Sequence, residues 1–275
     1  MGRAGSQCGG MAVSRGALGV AIAGFGVDFK SDSAGIITIL RRRYAPFIER
    51  PGRGLELAVS EGPNRREPFR PYVESAAGRL ELRRGDFNAE IFSGAGRGKA
   101  AAAPNEQCLD AFLRSLISWN LLESGGLMLH SSGIALGGKA YVFPGKSGAG
   151  KSTLAKLALK AGAEVISDEI NLLRPGPRGW RVYGSPFWGE MRAGGRQANW
   201  PLGGIFLLKK AAATSVLPCA PGEAFRTVMR CLVNFSRSAE VSAAALLAAG
   251  RLLAAVPARR LGFSKDSADF LELIG

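Results

Sequence analysis

Residues 145–152 read Gly-Lys-Ser-Gly-Ala-Gly-Lys-Ser, and this stretch decides the fold. It fits the phosphate-loop pattern: a glycine, four residues, then Gly-Lys and a serine or threonine. The apolar run Ala140-Tyr141-Val142-Phe143 leads into it and predicts a buried strand. Leu154, Leu157, Ala158 and Ala161 follow at helical spacing and predict a helix over 151–161. Strand, glycine-rich loop and helix is the order in which backbone N–H groups can turn toward a phosphate without Cβ clashes. The helix start adds unpaired donors and the positive end of its dipole. On this reading Gly145, Lys146, Ser147, Gly148, Ala149, Gly150, Lys151, Ser152 and Thr153 cradle the phosphates of ATP. Lys151 reaches the β- and γ-phosphates, and the Ser152 hydroxyl ligates Mg²⁺.

On the upstream side, Gly137-Gly138 predicts a tight turn that joins the loop strand to another strand over 127–136. That partner strand carries His130, the only histidine of the chain. Any step that uses an imidazole must use this residue. On the downstream side, Glu164-Val165-Ile166-Ser167 predicts a strand that ends at Asp168-Glu169, 17 residues beyond Lys151. One helix and one strand therefore return directly beside the loop. A carboxylate there can bind Mg²⁺, and an adjacent one can accept the proton of an attacking hydroxyl.

His130-Ser131-Ser132, the loop at 145–152 and Ser167-Asp168-Glu169 together resemble the catalytic domain of HPr kinase/phosphorylase in order and spacing. The resemblance is strong over 126–175 and weaker toward the C-terminus. It implies an α/β fold with a mixed sheet, like that of phosphoenolpyruvate carboxykinase, and ATP-dependent phosphorylation of a serine hydroxyl on a protein or peptide. By position, Lys151 matches the phosphate-holding lysine and Ser152 the metal-binding hydroxyl. Asp168 matches the proton acceptor, Glu169 the second, metal-side acid, and His130 the upstream histidine. Related kinases are often hexamers, which makes a homo-oligomer an expectation.

The chain departs from that pattern at three places. Lys146 stands where the family usually has an acid, Glu169 where it usually has aspartate, and no Glu-x-Arg-Gly segment follows. Instead, residues 184–190 read Gly-Ser-Pro-Phe-Trp-Gly-Glu, like the shorter HPr-kinase-related proteins, some of them associated with modified-peptide biosynthesis. The expected acceptor is thus a small carrier protein or a precursor peptide. Residues 184–192 predict a substrate-side loop, with Glu190 or Arg192 facing the acceptor and Phe187 and Trp188 as packing residues. A nucleotide-binding regulatory module without transfer and a small-molecule kinase are the alternatives.

The rest of the chain sets the frame. A length of 275 residues with 47% apolar side chains suits one large domain or two small ones. The net charge is +14, from 36 Lys and Arg against 22 Asp and Glu. These cations are dispersed except for Arg41-Arg42-Arg43, which reads as a solvated helix face, and no nucleic-acid partner is expected. Residues 1–16 read as an unstructured tail, 17–104 as a β-rich region and 105–275 as the kinase-like domain. Within the second part, residues 19–29 predict one strand, Asp32 or Ser33 caps a predicted helix through Ile36, Ile37, Leu40 and Tyr44, and 94–104 predict a linker. The run 17–27 after Arg15 imitates a secretory signal but serves as a first strand, and Met1-Gly2 with Ser6 fits a myristoylation pattern in a tail context. Cys8, Cys108, Cys219 and Cys231 form no metal-binding or C-x-x-C pattern. A reduced cytoplasmic protein without a membrane span is expected.

Overall fold

The structure is a computed structural model that describes residues 16–65, 67–192 and 195–275. The tail reading falls on residues outside these, except that Gly16 already opens a strand. The fold is mixed α/β, with two large mixed sheets.

The first sheet holds β1 (Gly16–Ile22), β2 (Phe25–Ser31), β3 (Ile48–Glu49), β4 (Leu55–Glu61), β5 (Tyr72–Ala76), β6 (Arg79–Arg84), β7 (Phe87–Phe92) and β8 (Arg97–Ala102). Their spatial order is β3-β1-β2-β4-β8-β7-β6-β5. Residues 19–29 are therefore not one strand. Ile22 pairs with Phe25 across a two-residue turn at Ala23-Gly24, and the apolar run folds back on itself. Helix α1 (Ala34–Arg43) then connects β2 to the parallel β4. Ser33 caps it, accepting a hydrogen bond from the Ile36 N–H. The Gly/Ala-rich stretch at 94–104 is not a linker either. Its middle is β8, paired with both β4 and β7. Small side chains suit a strand flanked on both sides, and the run of alanines hides the alternation that would reveal it.

Helix α2 (Glu106–Glu123) follows, capped by Asn105, which accepts from the Cys108 N–H at 2.8 Å. Its buried face joins Leu109, Phe112, Leu113 and Leu116 to Leu57, Leu80, Leu82 and Phe87 of the first sheet in one cluster. Met128, Ile170, Leu172 and Phe187 belong to the same cluster, so the core is continuous across residue 105. Each such side chain contributes about 1.5–3 kcal/mol on burial.

The second sheet begins with β9 (Leu127–Leu136) and β10 (Lys139–Pro144), followed by α3 (Lys151–Lys160), β11 (Glu164–Ser167), β12 (Ile170–Gly176) and β13 (Gly179–Tyr183). It continues with β14 (Asn199–Lys210), β15 (Ser215–Pro218), α4 (Pro221–Cys231), α5 (Ala239–Ala255), β16 (Arg259–Phe263) and α6 (Phe270–Ile274). The order is β10-β9-β12-β13-β14-β16-β15, with β11 beside β9. The long β14 pairs successively with β13, β10 and β16, so pairing runs from β10 round through β14 and back to β10. β10, β14 and β16 are mutually parallel, which gathers their carboxyl ends on one side, where ligands of parallel sheets bind.

Gly133, in the middle of β9, is required by a close approach. A Cβ there would lie 2.1 Å from the Asn171 Oδ1. The Asn171 amide donates to the Ser131 carbonyl at 2.8 Å and the Ser131 hydroxyl at 3.1 Å, all buried. Gly133→Ala must displace Asn171 and break these bonds. The expected loss is about 2–4 kcal/mol, read as a lower urea midpoint at unchanged m-value.

Candidate active site

The phosphate loop stands on a stiff base. Phe143 of β10 stacks on Phe206 of β14, with ring centroids 5.8 Å apart. Leu154 and Ala158 of α3 pack into the same cluster with Phe263 and Phe270. Gly150 caps α3 at φ +102°, a conformation L side chains rarely adopt, and a Cβ on it would meet Phe263 Cζ at 2.9 Å. Only glycine fits there.

Lys151 is 7% exposed, and its ammonium donates to the carbonyls of Gly145 at 2.8 Å and Lys146 at 3.1 Å. The loop is thus closed around its own lysine. Burial pushes the Lys151 pKa down, while the fields of Cys231, Glu169 and Glu190 act in the opposite direction.

His130 faces Ile170 across the β9–β12 pairing, and the Ser131 N–H donates to the Glu169 carbonyl at 2.9 Å. This register carries the imidazole beside the acid pair. Burial, then the Lys151 ammonium, holds the His130 pKa below its ordinary value. The neutral imidazole therefore prevails at pH 7.

Asp168 is 5% exposed. Its Oδ1 accepts from the Gly189 N–H at 2.9 Å and its Oδ2 from the Met191 N–H at 3.0 Å. The Ser167 hydroxyl shapes the same corner. It donates to the Phe187 carbonyl and accepts from the N–H groups of Glu169 and Ile170. Glu169 points to α2, where both its oxygens meet the Arg114 guanidinium at 3.2 and 3.4 Å.

The loop over 184–192 is held from the first half of the chain. Arg43, 5% exposed, donates to the Pro186 carbonyl at 2.7 Å and to Asp110 Oδ2 at 2.8 Å, and stacks on Trp188. Arg41 and Arg42 are exposed, so only two of the three arginines form the expected solvated face. Phe187 and Trp188 do pack as expected. Arg43→Ala leaves the Pro186 carbonyl without this donor and Asp110 without its arginine. The expected cost is about 2–3 kcal/mol, with Arg43→Lys recovering less than half because one ammonium cannot replace the planar fork. Chemical denaturation of the three proteins measures it.

One cavity of about 400 Å³ gathers the motif. His130, Ser147, Gly148, Gly150, Lys151, Ser152, Thr153, Asp168 and Glu169 line it, with Gly189, Glu190 and Lys210. Gly145, Lys146 and Ala149 line an adjoining cavity instead, and Arg192 lines neither. A larger cavity of about 650 Å³ lies on the first sheet around Lys30, Glu56 and Lys99 and contains none of the motif. Glu190 forms an exposed pair with Lys156 at 3.7 Å.

Sequence reasoning missed Arg114, Arg43 and Lys210. Arg114 and Arg43 act on partners 55 and 143 residues away, which no local pattern signals. Lys210 ends a strand parallel to β10, a position visible only once strand order is known. Ser152 and Glu169 offer one hydroxyl and one carboxylate in a single cavity, a donor set that suits Mg²⁺ arriving with nucleotide phosphates. Among the described residues, no helix is long and apolar enough to cross a membrane. No protein-family model matches this sequence, and no curated protein is significantly similar to it.

Proposed function

We propose that this chain is a cytoplasmic ATP- and Mg²⁺-dependent kinase of the HPr-kinase-related kind, with a phosphoenolpyruvate-carboxykinase-like second half. It phosphorylates a serine or similar hydroxyl on a protein or peptide. The observation that carries this reading is the shared cavity: Lys151, the glycine-rich turn, His130 and the acid pair Asp168-Glu169 line one space of about 400 Å³. That space matches the need of phosphoryl transfer for fixed positive charge around the phosphates and a base beside the attacking oxygen.

In this mechanism Lys151 leaves the carbonyls of Gly145 and Lys146 and attends the β- and γ-phosphates. The amides of the loop and of the first turn of α3 hold the phosphate oxygens. Ser152 and Glu169 would hold Mg²⁺, which neutralises phosphate charge when bound. The acceptor oxygen forms its bond to the γ-phosphorus as the bond to the β–γ bridging oxygen breaks, and ADP leaves. Asp168 takes the hydroxyl proton, with its carboxylate fixed by the amides of Gly189 and Met191. Neutral His130 lines the same space and can polarise or relay that proton.

The test is incubation of the full chain with γ-labelled ATP, Mg²⁺ and serine-containing peptides. Label moves to serine and EDTA stops it. Nucleotide binding without movement of label to any hydroxyl overturns the kinase reading in favour of a regulatory nucleotide-binding module.

A further inference from the structure

The phosphate loop separates two cavities. The first, described above, lies against Ser152 and Thr153 at the start of α3. The second, of about 560 Å³, lies between β14 and α4 and is reached from the other end of the loop, at Gly145 and Lys146. His130, Gly148 and Lys210 line both. The Lys151 ammonium rests on the carbonyls of Gly145 and Lys146, two residues that line the second cavity, while Lys151 itself lines the first with Asp168 and Glu169. A phosphate-loop lysine attends the β- and γ-phosphates, while the loop amides cradle the α- and β-phosphates. The transferring phosphoryl group, Lys151 and Asp168 therefore share the first cavity, and His130, Gly148 and Lys210 mark where the second opens onto it.

The charges of that cavity are unbalanced. Lys146, Lys210 and Arg230 are exposed at its rim and make no ion pair among the described residues. Its one acid, Glu223, is bound to Arg260. The excess continues outside: Arg226 lies one turn before Arg230 on α4, and Lys209 precedes Lys210, both exposed. Leu207, Leu208 and Pro144 supply an apolar floor. A positive strip longer than the cavity suits a chain with several negative charges better than one small anion.

We propose that the second cavity holds the peptide on either side of the reacting hydroxyl, which enters the first cavity beside Asp168, and that it selects an acidic segment. This rests on the kinase reading above. Carboxylates of the peptide occupy Lys146, Lys210 and Arg230, and the strip along α4 carries the flanking residues. Charge steering makes the selection sensitive to ionic strength.

The experiment uses the full chain with Mg·ATP and three peptides of equal length, each with one serine, flanked by aspartate and glutamate, by glutamine, or by lysine. The acidic peptide is expected to exceed the neutral one in kcat/KM by roughly tenfold or more at low salt, with the gap narrowing as salt rises. Arg230→Glu is expected to lower kcat/KM for the acidic peptide by roughly thirtyfold through KM and to raise it for the lysine peptide, with nucleotide affinity unchanged. Equal use of the three peptides overturns the acidic-acceptor proposal and leaves the kinase reading standing. Loss of nucleotide affinity in Arg230→Glu, equal to the loss in acceptor KM, shows that the cavity holds nucleotide and also overturns it. A small hydroxy acid used as well as the acidic peptide does the same. Bound nucleotide with no label moving to any peptide overturns both readings together.

Discussion

Lys151→Ala is expected to lower phosphoryl transfer by roughly a thousandfold or more. Two losses combine. The ammonium is the one cation buried in the loop, so its removal leaves the developing charge on the transferring group without its nearest fixed counter-charge. The same ammonium also ties the loop together through the carbonyls of Gly145 and Lys146. Without it the loop has fewer internal bonds, and nucleotide affinity is expected to fall by roughly tenfold or more. Lys151→Arg should not restore activity, because a planar five-donor fork does not fit where a compact ammonium sits between two carbonyls. Single-turnover transfer and titration with a fluorescent ATP analogue separate the two losses. Circular dichroism on both variants guards against unfolding. Wild-type transfer by a folded Lys151→Ala protein would remove the phosphate loop from the chemistry.

The parts of the molecule legible in sequence are those whose signal is local. The loop strand, Gly137-Gly138, the helix after Lys151 and the strand that ends at Asp168 each announce themselves within a dozen residues, and the structure places them at β10, the β9–β10 turn, α3 and β11. Composition misled where a rule has two readings. An apolar run from 19 to 29 suits one long strand as well as a hairpin, and the decision rests on Ala23-Gly24, a dipeptide with only one residue that favours a turn. Alanines and glycines at 94–104 suit a linker as well as β8, a strand enclosed by two neighbours.

The site was legible in its first layer and not beyond. His130, Lys151, Asp168 and Glu169 lie within 40 residues of one another, so strand order alone can bring them together. What holds them does not. Arg114 of α2 reaches Glu169, and Arg43 of α1 reaches Pro186 and Trp188, across contacts that only the tertiary fold makes. Two helices of the first half of the chain thereby act on the acid pair and on the loop that fixes Asp168. Arg43 shows the limit well. Its neighbours Arg41 and Arg42 behave as the charge run predicts, and the third arginine is buried because the helix turns its side chain toward Asp110.

Asp168→Asn is expected to lower kcat by roughly a hundred- to ten-thousandfold while nucleotide affinity stays within about threefold of wild type. The carboxylate has two tasks, and the substitution affects them unequally. As an anchor, it accepts one hydrogen bond on each oxygen, from Gly189 and Met191. Asparagine keeps one acceptor and turns an NH₂ toward the other amide, which costs about 1–2 kcal/mol and loosens the loop. As a base, asparagine has no capacity for a proton. Acceptor acidity tells the two apart. If Asp168 takes the proton, a peptide whose hydroxyl has a lower pKa needs that help less, and the ratio of wild-type to variant kcat shrinks. If Asp168 only holds the loop, the ratio is the same for every acceptor. His130→Gln serves as the comparison, since a neutral imidazole in the same cavity is another group able to accept a proton at pH 7. A folded Asp168→Asn protein within tenfold of wild-type kcat, beside a His130→Gln protein that has lost transfer, would move the base from the strand end to β9.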